Sequence, residues 1–207
     1  MEKRIIYHGS ISIIEKPIFG AGKPYNDYGL GFYCTESIEL AKEWACVDNQ
    51  TNGFANKYEL DLIELKVLNL SDEKYSILNW MAILVKFRSF DTTAEVSKRA
   101  KEFLLKHYYI DVSQYDVVIG YRADDSYFRF AKDFLNNTIS VQKLAKAMQL
   151  GELGLQIVLI SEKAFNSIRF IGSEPVDHQI YYTKRFARDR RAREAYTSSS
   201  NASLENE

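Results

Sequence analysis

The sequence contains few of the residues that mark unusual classes of protein. Only three prolines and two cysteines occur in 207 residues, which argues against proline-rich, collagen-like and disulfide-stapled architectures. The longest apolar stretches, residues 77–85 and 157–160, are far shorter than the roughly 20 residues that a membrane-spanning helix requires. The first residues also lack the long apolar region of a secretory signal. We therefore expect a cytoplasmic protein that does not enter a membrane.

An excess of one charge is also missing. The 27 Lys and Arg residues are balanced by 28 Asp and Glu residues, which gives a formal net charge of −1 with neutral histidine. The chain as a whole therefore has no general attraction for nucleic acids or anionic membranes, and a site for a polyanion must be local. Cys34 and Cys46 lack the spacing of metal ligands, so we expect buried thiols and no metal site.

The residues that are present suit one globular domain. Apolar residues make up 46% of the chain and charged residues 27%, which is enough for a sizeable core. We expect a single domain over residues 1–196. Residues 197–207 are rich in Ser and Asn and poor in apolar residues, which predicts a disordered tail.

Short strands and helices follow each other irregularly along the chain. Alternating or continuous apolar patterns predict strands at 4–10, 32–34, 58–67 (one long strand or two short ones), 115–120, 155–160 and 170–176. Helical spacing of apolar residues predicts helices at 38–45, 76–88, 94–107, 126–134, 141–150, 162–169 and 181–196. This order favours an α+β fold with an α-rich middle over a doubly wound parallel sheet.

The first predicted strand ends at His8-Gly9 and leads into a loop dense in Gly, Pro, Asn and Asp over residues 16–31. Long glycine-rich loops in compact domains tend to serve ligands. Tyr7-His8-Gly9-Ser10, the segment 26–35 (NDYGLGFYCT) and the segment 41–45 (AKEWA) together resemble a bacterial domain-of-unknown-function family assigned to the ADP-ribosyltransferase superfamily. The resemblance extends over about residues 5–170, and the first 45 residues carry its specific motifs.

The resemblance implies a split β-sheet with flanking helices that clamps NAD as a substrate. It also implies a triad of His, Tyr and Glu, Asp or Gln on three strands, which His8, Tyr33 and Gln156 match. A ring nitrogen of His8 would bond a ribose hydroxyl, and Tyr33 would present a ring to the nicotinamide, a contact worth about 0.5–1.5 kcal/mol. The other NAD-binding candidates are Gly9, whose backbone, with no Cβ to obstruct approach, would pair with the nicotinamide carboxamide, and Lys23, Asn26, Gly31 and Phe32.

The third member of this triad is neutral in this chain. A carboxylate can stabilise the oxocarbenium character that develops when the bond to nicotinamide breaks, whereas Gln156 offers hydrogen bonds without charge. This substitution leaves the acceptor type and the rate open. Glu152, four residues earlier, is the alternative carboxylate.

Each candidate also has an ordinary structural interpretation. Taken alone, His8 is more often a hydrogen-bonded structural histidine, and Tyr33 is one of 14 tyrosines that a core would absorb. Gly29-Leu30-Gly31 lacks the third glycine and the following helix of a Rossmann fingerprint. Asp124-Asp125-Ser126 is more typical of a helix start than of a ligand site.

The function implied by the resemblance is mono-ADP-ribosylation of a protein, DNA or RNA with release of nicotinamide. Bacterial families of this kind are often toxins beside an antitoxin or act in phage defence, so a cognate antitoxin protein is an implied partner. Two alternatives stay open. Neutral Gln156 also fits a catalytically silent NAD-binding or protein-interaction module. The basic segment 184–193 is more typical of a solvated face or of contact with an acidic partner, although a nucleic-acid-binding protein would use such a patch.

Overall fold

The computed structural model describes residues 3–123, 125–150 and 154–204. Within these ranges the chain forms seven strands and seven helices. The strands are β1 (Lys3–Ser10), β2 (Phe32–Cys34), β3 (Gly53–Asp61), β4 (Val67–Asn69), β5 (Val117–Tyr121), β6 (Leu155–Leu159) and β7 (Ile168–Val176). The helices are α1 (Ile38–Ala45), α2 (Ile77–Phe87), α3 (Glu95–His107), α4 (Asp125–Leu135), α5 (Val141–Ala147), α6 (Glu162–Asn166) and α7 (His178–Leu204).

The strands form two sheets that are joined through β1 and β2. The first sheet has the antiparallel order β1-β3-β7. The second has the order β2-β6-β5-β4, in which β4 and β5 are parallel and the other neighbours antiparallel. At the junction the Tyr7 N–H donates to the Thr35 carbonyl at 2.7 Å, and the Thr35 N–H donates back at 2.9 Å. Residues just beyond this bridge line a cleft.

Side-chain alternation on the strands builds a layered core. Ile6 of β1 and Tyr58 of β3 point into the same apolar cluster as Ile157 of β6, so the two sheets share a core. The opposite face of the first sheet packs on α1, where Ala41 contacts the cluster around Ala55. The opposite face of the second sheet packs on the helices α2 to α5.

Hydroxyl side chains define where four helices begin. Ser37, Ser76, Ser140 and Ser161 each accept a hydrogen bond from a backbone N–H in the first turn of α1, α2, α5 and α6. Such a cap satisfies an N–H that has no partner within the helix and contributes about 1 kcal/mol. At the start of α2 the Ser76 backbone N–H also donates to the side chain of Asn79, so the two residues form a capping box.

The α+β class is confirmed, and α2 and α3 form the α-rich middle. The segment 58–67 contains two strands of different sheets, β3 and β4, because a turn at 62–66 separates them. The likeness of the two-sheet arrangement to ADP-ribosyltransferases stays a prediction. In the described part of the chain no helix has both the length and the apolar character that crossing a membrane requires.

The last helix is longer than the sequence predicts. We expect a helix at 181–196 followed by a disordered tail, and the structure instead continues α7 to Leu204. The hydroxyls of Thr197 and Ser198 donate to the carbonyls of Arg193 and Glu194, both at 2.9 Å. Hydroxyl residues can remain in a helix when they bond to the carbonyls of the preceding turn. The composition of the segment does not reveal such bonds.

Candidate functional site

A cleft of about 670 Å³ opens beside the bridge between β1 and β2, a size typical of sites for small organic ligands. We call five of its side chains the floor: His8, Asp27, Phe32, Tyr33 and Gln156. We call residues 16–18 and 21–23, which belong to the loop between β1 and β2, the rim. The eight residues predicted for the site all line this cleft, namely His8, Gly9, Lys23, Asn26, Gly31, Phe32, Tyr33 and Gln156. Their roles in chemistry stay predictions.

Strand geometry explains why distant residues meet here. His8 lies two positions after Ile6 and therefore points to the side of β1 that faces the second sheet. Tyr33 pairs with Val158 across β2 and β6, and Gln156 lies two positions before Val158. Tyr33 and Gln156 consequently share one face of the second sheet, at the end where β1 and β2 part.

His8 is held as a neutral acceptor. Its Nδ1 lies 2.7 Å from the Tyr33 carbonyl oxygen, and its ring stacks on Phe32 with the centroids 4.3 Å apart. A carbonyl oxygen only accepts, so Nδ1 carries the proton. Burial lowers the pKa of His8, while the bond to Tyr33 opposes this with a smaller effect. The ring is therefore neutral at pH 7, and its Nε2 is an acceptor for a hydroxyl or amide hydrogen.

Tyr33 can offer a ligand its aromatic ring but not an acidic hydroxyl group. Its hydroxyl donates to the Gly29 carbonyl at 2.7 Å and accepts from the Tyr28 N–H at 3.1 Å. Burial raises the pKa of Tyr33 far above its usual value, so the phenol is neutral. Because the hydroxyl is committed to the loop, the aromatic face is the part of Tyr33 that a ligand can use.

Gln156 lies almost fully buried, 3% exposed. Its Nε2 donates to Asp27 Oδ2 at 2.9 Å and to the Tyr121 carbonyl at 3.3 Å. Both partners only accept, so the amide nitrogen must face them. In the described part of the chain its Oε1 receives no hydrogen bond from protein.

Asp27 is a floor residue that sequence reasoning missed. Its Oδ2 accepts from the Ala123 N–H at 2.8 Å as well as from Gln156, and its Oδ1 lies 3.5 Å from a terminal guanidinium nitrogen of Arg88. Burial raises the pKa of Asp27, against smaller opposite effects of Ala123, Gln156, Arg88 and Arg122. The signal was its place within the segment 26–35, beside the predicted Asn26.

The cleft has an excess of positive charge. Among the described lining residues the cations are Lys16, Lys23, Arg88 and Arg122, and the carboxylate is Asp27. The Arg122 guanidinium stacks on the ring of Trp44 at 4.3 Å from its centroid, a contact that holds the charge at the cleft wall. In a chain of net charge −1, this excess is a local feature of the cleft. Arg88 and Arg122 each follow directly after α2 or β5, and nothing in their local sequence distinguishes them.

A buried asparagine fixes the start of the rim loop. Asn56 of β3 is fully buried. Its amide donates to the carbonyls of His8 and Ser12, and its Oδ1 accepts from the Ile14 N–H at 3.0 Å. Beyond this anchor the side chains of Ile18 and Phe19 are 74% and 49% exposed. The loop is therefore fixed where it leaves β1 and open where it borders the cleft.

Packing explains the glycine at position 9. A Cβ at this position would overlap the Ala41 carbonyl oxygen and lie 2.6 Å from the Ala45 nitrogen. The missing Cβ therefore faces α1, and helix packing requires glycine here. The pairing of the Gly9 backbone with the nicotinamide carboxamide stays a prediction. Gly31 is similar, because a Cβ there would lie 2.7 Å from Val158 Cγ1. The alternative carboxylate Glu152 lies outside the described residues, as does Asp124.

The basic segment of α7 is largely neutralised. Lys184 pairs with Glu39 at 3.0 Å, and the buried Arg188 pairs with Glu43 at 2.7 Å. Arg193 pairs with Asp189. The pairs of Lys184 and Arg188 join α7 to α1, whereas the pair of Arg193 lies within α7. All three pairs reduce the charge available to a nucleic acid. The structure therefore gives Lys184 and Arg188 a packing role.

Comparisons with known proteins gave one match. A family model described as a protein of unknown function, DUF3990, matches residues 4–170, which include every floor and rim residue. Neither the curated proteins nor the solved structures contain a match to the chain.

Proposed function

Since this chain belongs to the DUF3990 family, which is described only as being of unknown function, we propose its function from the cleft: an NAD-dependent mono-ADP-ribosyltransferase. It transfers one ADP-ribose unit from NAD to a macromolecule and releases nicotinamide. The observation that carries the proposal is the meeting of His8, Tyr33 and Gln156, from three strands, in one cleft. The resemblance noted in the sequence supplies the chemistry that such a triad performs.

The charges and surfaces of the cleft suit NAD as substrate. Arg88 and Arg122 are guanidinium groups of the kind that bind phosphate in two-point contacts, and NAD carries a diphosphate. The face of Tyr33 suits a flat nicotinamide ring, and Nε2 of His8 suits a ribose hydroxyl or the carboxamide. Phe32 holds the imidazole by stacking, so the acceptor nitrogen is fixed before a ligand arrives.

The reaction breaks the bond between nicotinamide nitrogen and ribose C1′. The bonding pair leaves with nicotinamide, which becomes neutral, and positive character develops on the ribose. A nucleophilic atom of the acceptor then forms a bond to C1′ and loses its proton to solvent. The floor residues hold the two halves of NAD at this bond, which is the positioning contribution to catalysis.

Nicotinamide release from NAD by the purified protein tests the proposal. We expect Tyr33→Ala to lower kcat/KM about 100-fold or more, a change of about 2.8 kcal/mol, because it removes the ring that receives the nicotinamide. His8→Ala should cost about tenfold through one lost hydrogen bond. Tyr25→Ala is the matched control, because Tyr25 is 61% exposed in the same loop. Circular dichroism and thermal unfolding check that each variant is folded.

The absence of both NAD binding and nicotinamide release in the wild-type protein would overturn the proposal. The acceptor is identified by incubating the protein with labelled NAD and cell lysate, and then digesting the labelled material with protease, DNase or RNase. Label released by one digestion assigns the acceptor class. A cognate antitoxin, which the resemblance implies, would be expected to block this labelling.

A catalytically silent NAD-binding module is the second candidate, favoured by the neutral amide of Gln156. It predicts binding of NAD in a calorimeter without nicotinamide release. Release that depends on Tyr33 would exclude it.

A further inference from the structure

The carboxylate that the third triad position lacks is present one hydrogen bond away. Gln156 brings no charge, yet its amide nitrogen donates to Asp27 Oδ2 at 2.9 Å. Asp27 is 6% exposed and lines the cleft, so its charge is weakly screened by solvent. Residues 27 and 156 are far apart in sequence and meet because the loop before β2 returns to the start of β6.

The contacts fix which end of the amide a ligand meets. Asp27 and the Tyr121 carbonyl are both acceptors, so they hold Nε2 and exclude the flipped amide. The Tyr121 carbonyl is itself held by the Tyr28 hydroxyl at 2.7 Å and the Trp80 Nε1–H at 3.0 Å. These contacts leave Gln156 Oε1 as the end of the amide that can accept a hydrogen bond from a ligand.

We propose that Asp27 is a positioning residue for the transfer reaction: it orients Gln156 so that Oε1 accepts from the nicotinamide ribose, and it supplies negative charge to the neutral triad. The proposal rests on the proposed function. An amide that donates to a carboxylate is polarised, so its oxygen becomes a better acceptor. The negative field also favours the positive ribose of the transition state over the ground state.

The cations around Asp27 do not fully neutralise its negative charge. The charged or titratable groups that act on Asp27 are Arg88 at the end of α2 and Arg122 after β5, with the hydroxyls of Tyr28 and Tyr33 nearby. Arg88 approaches Oδ1 at 3.5 Å, which is long for a hydrogen bond. Both neutral donors use Oδ2, so a single oxygen carries the structural bonds.

This division between the two oxygens makes Asp27→Asn a sharp test. The side-chain oxygen of Asn can take the place of Oδ2, so the variant loses the charge and its contact with Arg88 but keeps the bonds from Ala123 and Gln156. Asp116→Asn is the matched control, because Asp116 contacts Lys66 and Ser161 away from the cleft. NAD binding is measured by calorimetry, and nicotinamide release at saturating NAD is measured from pH 4 to 9.

We expect Asp27→Asn to lower kcat about tenfold or more with less than a threefold change in KM. In the wild-type protein kcat should fall as the pH drops through the raised pKa of Asp27, and the variant should lose this dependence. Asp116→Asn should match the wild-type protein. An unchanged kcat and pH profile in Asp27→Asn, with nicotinamide release by the wild-type protein intact, would overturn the role of Asp27.

A second readout separates this inference from the proposed function. The side-chain amide signal of Gln156, assigned in a ¹⁵N NMR spectrum by its loss in Gln156→Ala, should shift as Asp27 titrates and stop shifting in Asp27→Asn. If the wild-type protein releases no nicotinamide while this signal titrates, the transfer function is wrong and the role of Asp27 in it falls, but the hydrogen-bonded pair stands. A signal that does not titrate would overturn the pair itself.

Discussion

The floor and the rim of the cleft differ in how their residues are held. His8, Phe32, Tyr33 and Gln156 lie on strands, and one polar group each of His8, Tyr33 and Gln156 bonds to backbone or to Asp27. The rim lies on a loop that borders the same cavity, and its Lys16 and Lys23 are exposed. A substitution in the floor alters a packed side chain or a buried polar group, whereas a substitution of Lys16 or Lys23 in the rim changes little beyond the charge that it removes.

This difference assigns separate tasks to the two regions. Floor residues have a single geometry before a ligand arrives, which is what the breaking of one particular bond requires. Rim side chains can adapt to a ligand and contribute mainly long-range attraction, which salt screens. We therefore expect floor variants to change stability or kcat strongly and rim variants to change KM weakly.

The largest effect is expected for Gly9→Ala at the back of the floor. Its Cβ would press on the backbone of α1 at Ala41 and Ala45, and backbone cannot rotate away as a flexible side chain can. The helix or β1 must shift, at a cost of about 3 kcal/mol of unfolding free energy. Urea unfolding measures this cost, and nicotinamide release should fall as well because His8 moves with β1.

Gly20→Ala is the control in the rim loop. Its φ of +83° gives a backbone penalty for alanine, but nothing lies within 4 Å of the added Cβ. We expect a loss of about 1 kcal/mol. Equal losses in the two variants would show that the strand beside the floor is not more tightly packed than the loop that carries the rim, and the comparison would fail.

The sequence predicts the strand part of the floor well and the charged part poorly. His8 and Tyr33 lie at the ends of short strands whose patterns are clear, and family resemblance links them to Gln156. Asp27, Arg88 and Arg122 come from three separate segments that follow no period, and only the tertiary fold brings them together.

The same limit explains two features that the sequence does not show. Nothing local to Gly9 shows that α1 returns to cover the position of its missing Cβ. The ion pairs of Lys184 and Arg188 are hidden as well, because their partners Glu39 and Glu43 lie far earlier in the chain. Both features depend on packing between elements that are distant in sequence.

An intermediate effect is expected for Arg88→Gln, which removes a cation anchored to the floor. Arg88 lies beside Asp27 and its guanidinium lies 4.9 Å from the ring centroid of Phe128, so it is placed before NAD binds. We expect KM for NAD to rise about tenfold, equivalent to about 1.4 kcal/mol. The pKa of Asp27 should also rise, because Arg88 lowers it, and the decline of kcat in acid should begin at higher pH.

Arg99→Gln provides the control for this charge change. Arg99 pairs with Glu95 at 2.8 Å on the exposed face of α3, and its loss removes one positive charge from the chain without touching the cleft. A similar rise of KM in both variants would show that net charge, and not the anchored guanidinium, determines NAD binding.

The smallest effect is expected for Lys23→Gln in the rim. Lys23 is exposed and lines the cleft entrance, so its ammonium acts on a bound diphosphate through solvent, where one charge contributes less than about 1 kcal/mol. KM for NAD should rise about twofold at low salt, and the difference from wild type should disappear as the salt concentration increases. Lys98→Gln, on the exposed face of α3, should leave KM unchanged. A tenfold rise for Lys23→Gln that persists in high salt would place this lysine in direct contact with NAD, and the rim would then be as fixed as the floor.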